Sequence, residues 1–222
     1  MTQDEIYIGS DSKVPTTLYY HDNNNLIITN TVSYECKTFK TGKIFLTGAG
    51  KKVKQVSEVL SRSYNPKDSI SKIVQTFITA AIKNLTDTLY SIRKNMPSQY
   101  KSFIDSLYIS DIAICGFENN KPVMYRMQFD MDCKLEDKII KIKCNSRLVS
   151  LKHINDTVTS ALGHTDCVII PKYVPNKDFG EDIKSIIEKQ IECSPKSVGK
   201  PISVLRIRSD NTHLIYPGLC KF

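Results

Sequence analysis

Apolar residues recur at three- and four-residue intervals over one long stretch. Ile70, Ile73, Val74, Phe77, Ile78, Ala81, Ile82 and Leu85 share one face of a predicted helix. Asp68 or Ser69 can cap its start. So broad an apolar face must pack on something large and apolar. A shorter helix precedes it, with Val53, Val56 and Leu60 on one side and Asn65-Pro66 at its end. A third helix begins at Asp178. Glu181 and Asp182 complement the positive end of its dipole, and Ile183, Ile186, Ile187 and Ile191 form a stripe.

The remaining apolar positions sit in short runs rich in β-branched and aromatic residues, which predict strands. Ile6-Tyr7-Ile8-Gly9-Ser10-Asp11 is one, ending on an aspartate. Residues 15–24, with Pro15, His21, Asp22 and three asparagines in and just beyond them, read as turns. Strands are expected at 26–28 and 31–39, then at 43–47 after the break at Gly42 and before Gly48-Ala49-Gly50. Residues 111–117 and 122–129 predict a hairpin turning at Asn119-Asn120. Further strands are expected at 138–144, 147–151, 202–207 and 212–216.

The order is strands, two helices, strands, a helix, then strands. That excludes a simple βαβ alternation and suits sheets stacked face to face with helices outside. With no repeat, low-complexity segment or linker, residues 1–222 read as one α+β domain, long enough to bury a sizeable core.

Composition narrows the class. The apolar fraction is 41%, yet no apolar run approaches the roughly 18–20 residues of a membrane span. Residues 1–5 lack a basic region followed by an apolar stretch, so a secretory leader is not expected. The net charge of +8 permits acidic partners. The Lys and Arg are spread along the chain without a dense block or basic–aromatic interleaving, which favours a solvated surface over a nucleic-acid footprint. Seven widely spaced cysteines with no Cys-x-x-Cys pair, and a nearest mixed pair of only His164 with Cys167, give a zinc site little support. They read as reduced, mostly buried thiols of a cytoplasmic (or nuclear) protein. No cofactor or metal is expected.

Several segments, in order over most of the chain, resemble the proteasome β-subunit family and its bacterial relatives among the N-terminal-nucleophile hydrolases. Ile8-Gly9-Ser10-Asp11-Ser12-Lys13 resembles a strand ending in an Asp-Ser-Arg-like triplet, and Lys37-Thr38-Phe39-Lys40 resembles the strand after it. Phe45-Leu46-Thr47-Gly48-Ala49-Gly50 resembles the glycine turn before the first helix. The stretch from Cys115 to Arg126 resembles the family's hairpin, Ala161-Leu162-Gly163 a middle glycine turn, and Ser197-Val198-Gly199-Lys200-Pro201-Ile202 the turn into the last strands. The resemblance implies a four-layer αββα sandwich of two mainly antiparallel sheets between helices. It also implies a ring-type homo- or hetero-oligomer.

Catalysis in that family needs a threonine at a free N-terminus, a lysine beside it, an aspartate holding the lysine, and a backbone N–H for the oxyanion. By resemblance Asp11 matches the aspartate. Lys37 matches the lysine, with Cys36 one residue away. Gly50 matches the oxyanion glycine, with Gly48 a neighbouring option. Thr2 is the candidate nucleophile. Nine steps separate it from Asp11, about 30 Å if extended at ~3.3 Å per step. Only a few residues precede the strand at Ile6, too few to double back along it. The turns at Gly163-His164-Thr165 and Ser194-Pro195, and Lys200 in place of a glycine, depart from the active pattern as well.

The leading expectation is therefore a non-catalytic structural or interaction subunit, with Asp11 and Lys37 kept as an ion pair. The alternative is an active threonine peptidase using Thr2. A third reading notes that a strand ending at Asp11 is also similar to the first strand of ribonuclease-H-like nucleases, with Asp111 and Asp130 as further magnesium ligands. His153, His164, Ser57 and Ser160 carry no recognisable hydrolase pattern.

Overall fold

The computed structural model describes residues 1–2, 4–22, 25–50, 52–151, 162 and 179–221, with backbone alone over 15–31. Strand β1 (Ile6–Asp11) leads to β2 (Lys13–Asp22) and β3 (Asn25–Tyr34). Then come β4 (Thr38–Thr41), β5 (Ile44–Gly50), helices α1 (Val53–Ser63), α2 (Ile70–Asn95) and α3 (Pro97–Ser106), and β6 (Tyr108–Glu118), β7 (Lys121–Met131) and β8 (Ile142–Val149). Helix α4 (Phe179–Cys193), β9 (Ile202–Ile207) and β10 (Thr212–Tyr216) complete the chain. The fold is α+β, and the described strands pair antiparallel in three sheets ordered β1-β9-β10, β2-β3 and β4-β5-β6-β7-β8.

The five-stranded sheet is apolar on two faces for different reasons. Alternation along β5 sends Ile44 and Leu46 to one side and Phe45 to the other. The first side, with Ile112 and Ile114 of β6 and Met127 and Phe129 of β7, is covered by α1, α2 and α3. Helix α2 supplies Ile73, Val74, Phe77, Ala81, Leu85 and Leu89 to this core, as its periodicity requires. Phe77 meets Phe129 edge-on, ring centroids 6.3 Å apart. Ser69 is the cap, accepting from the Lys72 amide, while Asp68 pairs with the Lys72 ammonium at 2.9 Å.

On the opposite side, Phe45, Cys115 and Met124 pack against Ile6, Ile8, Leu205 and Ile207 of the three-stranded sheet, with Met1 tucked among them. Helix α4 lies on the far side of β1. A Cβ on Gly9 would sit 2.2 Å from Ile183 Cγ2, so only glycine lets the helix approach so closely.

Four expectations change. The strands expected at 26–28 and 31–39 are instead β3, which spans Asn25–Tyr34, and β4, which starts only at Thr38. Residues 15–22 belong to β2, not to turns: Lys13 through Asp22 pair with Tyr34 back through Asn25. The two strands expected at 138–144 and 147–151 are one, β8. Helix α3 has no counterpart in the periodicity, because it buries only Tyr100 and Phe103, with Pro97 at its first turn. No helix among the described residues is long and apolar enough to cross a membrane.

Candidate functional site

Asp11 closes β1, and Lys37 stands one residue before β4. Their side chains meet across the gap between the two larger sheets. The Lys37 ammonium donates to both Asp11 oxygens, at 3.0 and 2.9 Å. Asp11 Oδ1 also accepts from the amides of Lys13 at 2.9 Å and Gly199 at 3.2 Å. The carboxylate therefore organises three segments: its own strand end, the approach to β4 and the turn before β9. That turn is bound further by Ser12, whose hydroxyl donates to the Pro201 carbonyl at 2.7 Å and whose amide donates to that of Gly199 at 3.3 Å. The Lys13 ammonium donates to the Pro195 carbonyl.

Beside the ion pair runs a chain of hydroxyls. Ser10 Oγ lies 3.4 Å from Thr38 Oγ1, which donates to Thr47 Oγ1 at 3.3 Å. Strand register explains their meeting: Ser10 follows Ile6 and Ile8 on the inward face of β1, and Thr38 is directly opposite Thr47. One transverse row of the five-stranded sheet then reads Thr38, Thr47, Ala113, Arg126, Arg147, and the next row out reads Ala49, Asp111, Gln128, Asn145. The inward face turns from apolar at the Phe45 row to hydroxyl, small and charged at these two.

A second, more buried ion pair holds that end. Asp111 is 3% exposed and takes two hydrogen bonds from Arg126, one from Nε at 3.1 Å and one from Nη2. This bond raises the guanidinium's proton affinity further above its ordinary value. Burial, and then the charge of Asp111, push the Tyr108 phenol up to about 12, so it stays a donor, here to the Ala49 carbonyl at 3.1 Å. Asp130 instead accepts from Gln128 Nε2.

The glycine turn lies at the same end. Gly50 has φ +108°, which its missing Cβ permits, and Lys52, just before α1, is half-buried with its ammonium pKa lowered by desolvation. Thr2 does not join the group. Its amide donates to the Glu5 carbonyl at 2.8 Å, and its hydroxyl accepts from the Glu5 amide at 3.2 Å. Ile6 faces Ile207 while Asp11 faces Ile202, so Thr2 precedes one end of β1 and the ion pair occupies the other. Met1 is 7% exposed, and burial lowers its amine to about 6.

The expectation of reduced thiols is corrected for three cysteines. Cys36 and Cys220 form a disulfide, and Cys193 is also disulfide-bonded. Chain folding brings the first pair together across 184 positions, a proximity that no local spacing reveals. Cys115, Cys133 and Cys144 are free thiols, and burial raises Cys115 to about 12, which makes it inert. Ser57 is a helix residue donating to the Lys54 carbonyl. His153, Ser160, His164 and Cys167 lie outside the described residues, as does the Ala161-Leu162-Gly163 turn apart from Leu162.

Of the expected site residues, Asp11 and Lys37 are in contact. Gly48 and Gly50 follow Thr47 on β5, the strand beside the β4 that Lys37 leads into, and Thr2 is elsewhere. Sequence reasoning missed the Asp111–Arg126 pair, which only the β6–β7 register could have suggested. It also missed the Gly199 amide, although the turn containing it was noted. No protein-family model matches the chain, and no curated protein matches it either.

Proposed function

We propose that the chain is a proteasome-β-like protein that serves as a non-catalytic structural or interaction subunit. The observation carrying this reading is the separation of Thr2 from Lys37. The Thr2 hydroxyl is engaged with Glu5 before β1 begins, whereas Lys37 is held by Asp11 where β1 ends. A threonine nucleophile needs its own hydroxyl within hydrogen-bond reach of the lysine that tunes it. The succession of α1–α3, five-stranded sheet, three-stranded sheet and α4 supports the four-layer αββα arrangement of that family. A ring-type homo- or hetero-oligomer follows by the same resemblance.

The threonine-peptidase alternative requires Thr2 to be carried to the far end of β1. The nuclease reading has less support. Asp11 is paired with Lys37 and Asp111 with Arg126, and no group of metal-ligating side chains occurs among the described residues. A cytoplasmic setting is retained as part of the proposal. It requires the Cys36–Cys220 bond and the bond at Cys193 to be of the reversible kind found in reducing compartments.

The test is chemical. Purified protein is incubated with fluorogenic peptides and with an electrophile directed at N-terminal threonine. Intact mass then records both the retention of Met1 and any adduct. The expected result is no turnover and no adduct. A stoichiometric adduct on Thr2, lost in Thr2→Ala together with peptide cleavage, would establish the peptidase instead.

A further inference from the structure

We propose that the Cys36–Cys220 disulfide is a redox latch that fastens the C-terminal turn over the Asp11–Lys37 end of the sheets. Residues 217–220 leave β10 and fold back onto the start of β9. A Cβ on Gly218 would meet Ser203 Oγ at 2.2 Å and the Ile202 carbonyl at 2.8 Å. Ile202 is the residue directly opposite Asp11. On the other side of the bond, Cys36 immediately precedes Lys37. The disulfide thus ties the tail of one sheet to the entry of the other, at the edge where the ion pair also joins them.

Among the described residues, the tail's polar ties include the Ser203 hydroxyl donating to the Pro217 carbonyl at 3.0 Å and the turn's own Cys220 amide donating to the Pro217 carbonyl at 2.9 Å. The two sulfurs differ in access. Cys36 is partly exposed, and Cys220 is 2% exposed.

The exchange balances with a dithiol as reductant. One thiolate of the dithiol attacks Cys36 Sγ, the Cys36–Cys220 bond breaks, and Cys220 leaves as a thiolate that takes up a proton. The second thiol of the reductant loses its proton and displaces Cys36 from the mixed disulfide. The reductant ends as its own disulfide, and two electrons and two protons reside on Cys36 and Cys220. The freed turn then lifts from Ile202 and Ser203, beside the strand end that carries Asp11. This latch works equally in an active or an inactive subunit, so its failure would leave the Thr2 question untouched.

The full chain is titrated with dithiothreitol in native buffer, alkylated, and read peptide by peptide, with hydrogen exchange and circular dichroism in parallel. Expected are joint alkylation of Cys36 and Cys220 with unchanged circular dichroism, and at least tenfold faster amide exchange over 217–221. Cys220→Ser should show that fast exchange without reductant and no further response to it. Alkylation that appears only as the whole protein unfolds would overturn the latch, and so would alkylation that leaves tail exchange unchanged. If Cys220→Ser fails to fold, the wild-type titration alone decides between these outcomes.

Discussion

The two faces of the five-stranded sheet are built to different standards. The helix-covered face is mainly apolar, and its Ile44, Leu46, Ile112, Ile114 and Phe129 side chains are fully enclosed. The face turned toward the other sheet is apolar only in the middle. At one end it gives way to hydroxyls, two ion pairs and a disulfide. The first face carries stability through close packing. The second spends part of its area on polar groups that must each find a partner, which is what a binding or reacting surface requires.

The sharpest test of this contrast is Phe77→Ala. Phe77 is fully buried against Phe129, and its truncation should cost about 4 kcal/mol in denaturant unfolding. Opening the Cys36–Cys220 bond by Cys36→Ser with Cys220→Ser should cost less, about 3 kcal/mol, below the chain-entropy limit for so long a loop. If the double variant lost more than Phe77→Ala, the inter-sheet side would be the main support.

Acidity probes the middle of that same side. In a chain that starts at Met1, the native amine has its pKa lowered to about 6, against 8.0 when unfolded. Between those values the unfolded state binds the extra proton, so stability falls as pH drops from 8 to 6, by roughly 2–3 kcal/mol. Urea midpoints at the two pH values measure it, and an Nα-acetylated chain should lack this part of the slope.

Smaller effects separate the two partners of the candidate site. Asp11→Ala strips an acceptor from the buried Gly199 amide and the Lys13 amide as well as from Lys37, and should cost about 2 kcal/mol. Lys37→Met leaves those amides bonded to the carboxylate and should cost less, about 1 kcal/mol. Equal losses by thermal melting would mean that the ion pair, not the carboxylate's grip on three segments, is what matters there.

Much of the helix-covered face was legible because α2 repeats its apolar residues at helical spacing, and β5, β6 and β7 alternate or run apolar between clear turns. Strand β2 was hidden by Pro15, His21 and Asp22, which favour turns locally, yet ten cross-strand pairs override that preference. Strand β8 is exposed over most of its length, so it carries no buried pattern to read. At the candidate site, Asp11, Lys37 and the glycine turn could be found from local motifs. Their connection to Gly199 and Cys220 could not, because both partners arrive from the opposite end of the chain.

The strict alternation of β5 has one more implication. A slip of a single residue against β6 would swing Ile44 and Leu46 into the seam and push Phe45 and Thr47 under the helices. Thr47 therefore keeps its station opposite Thr38 through the insistence of greasy side chains on the far side of the strand.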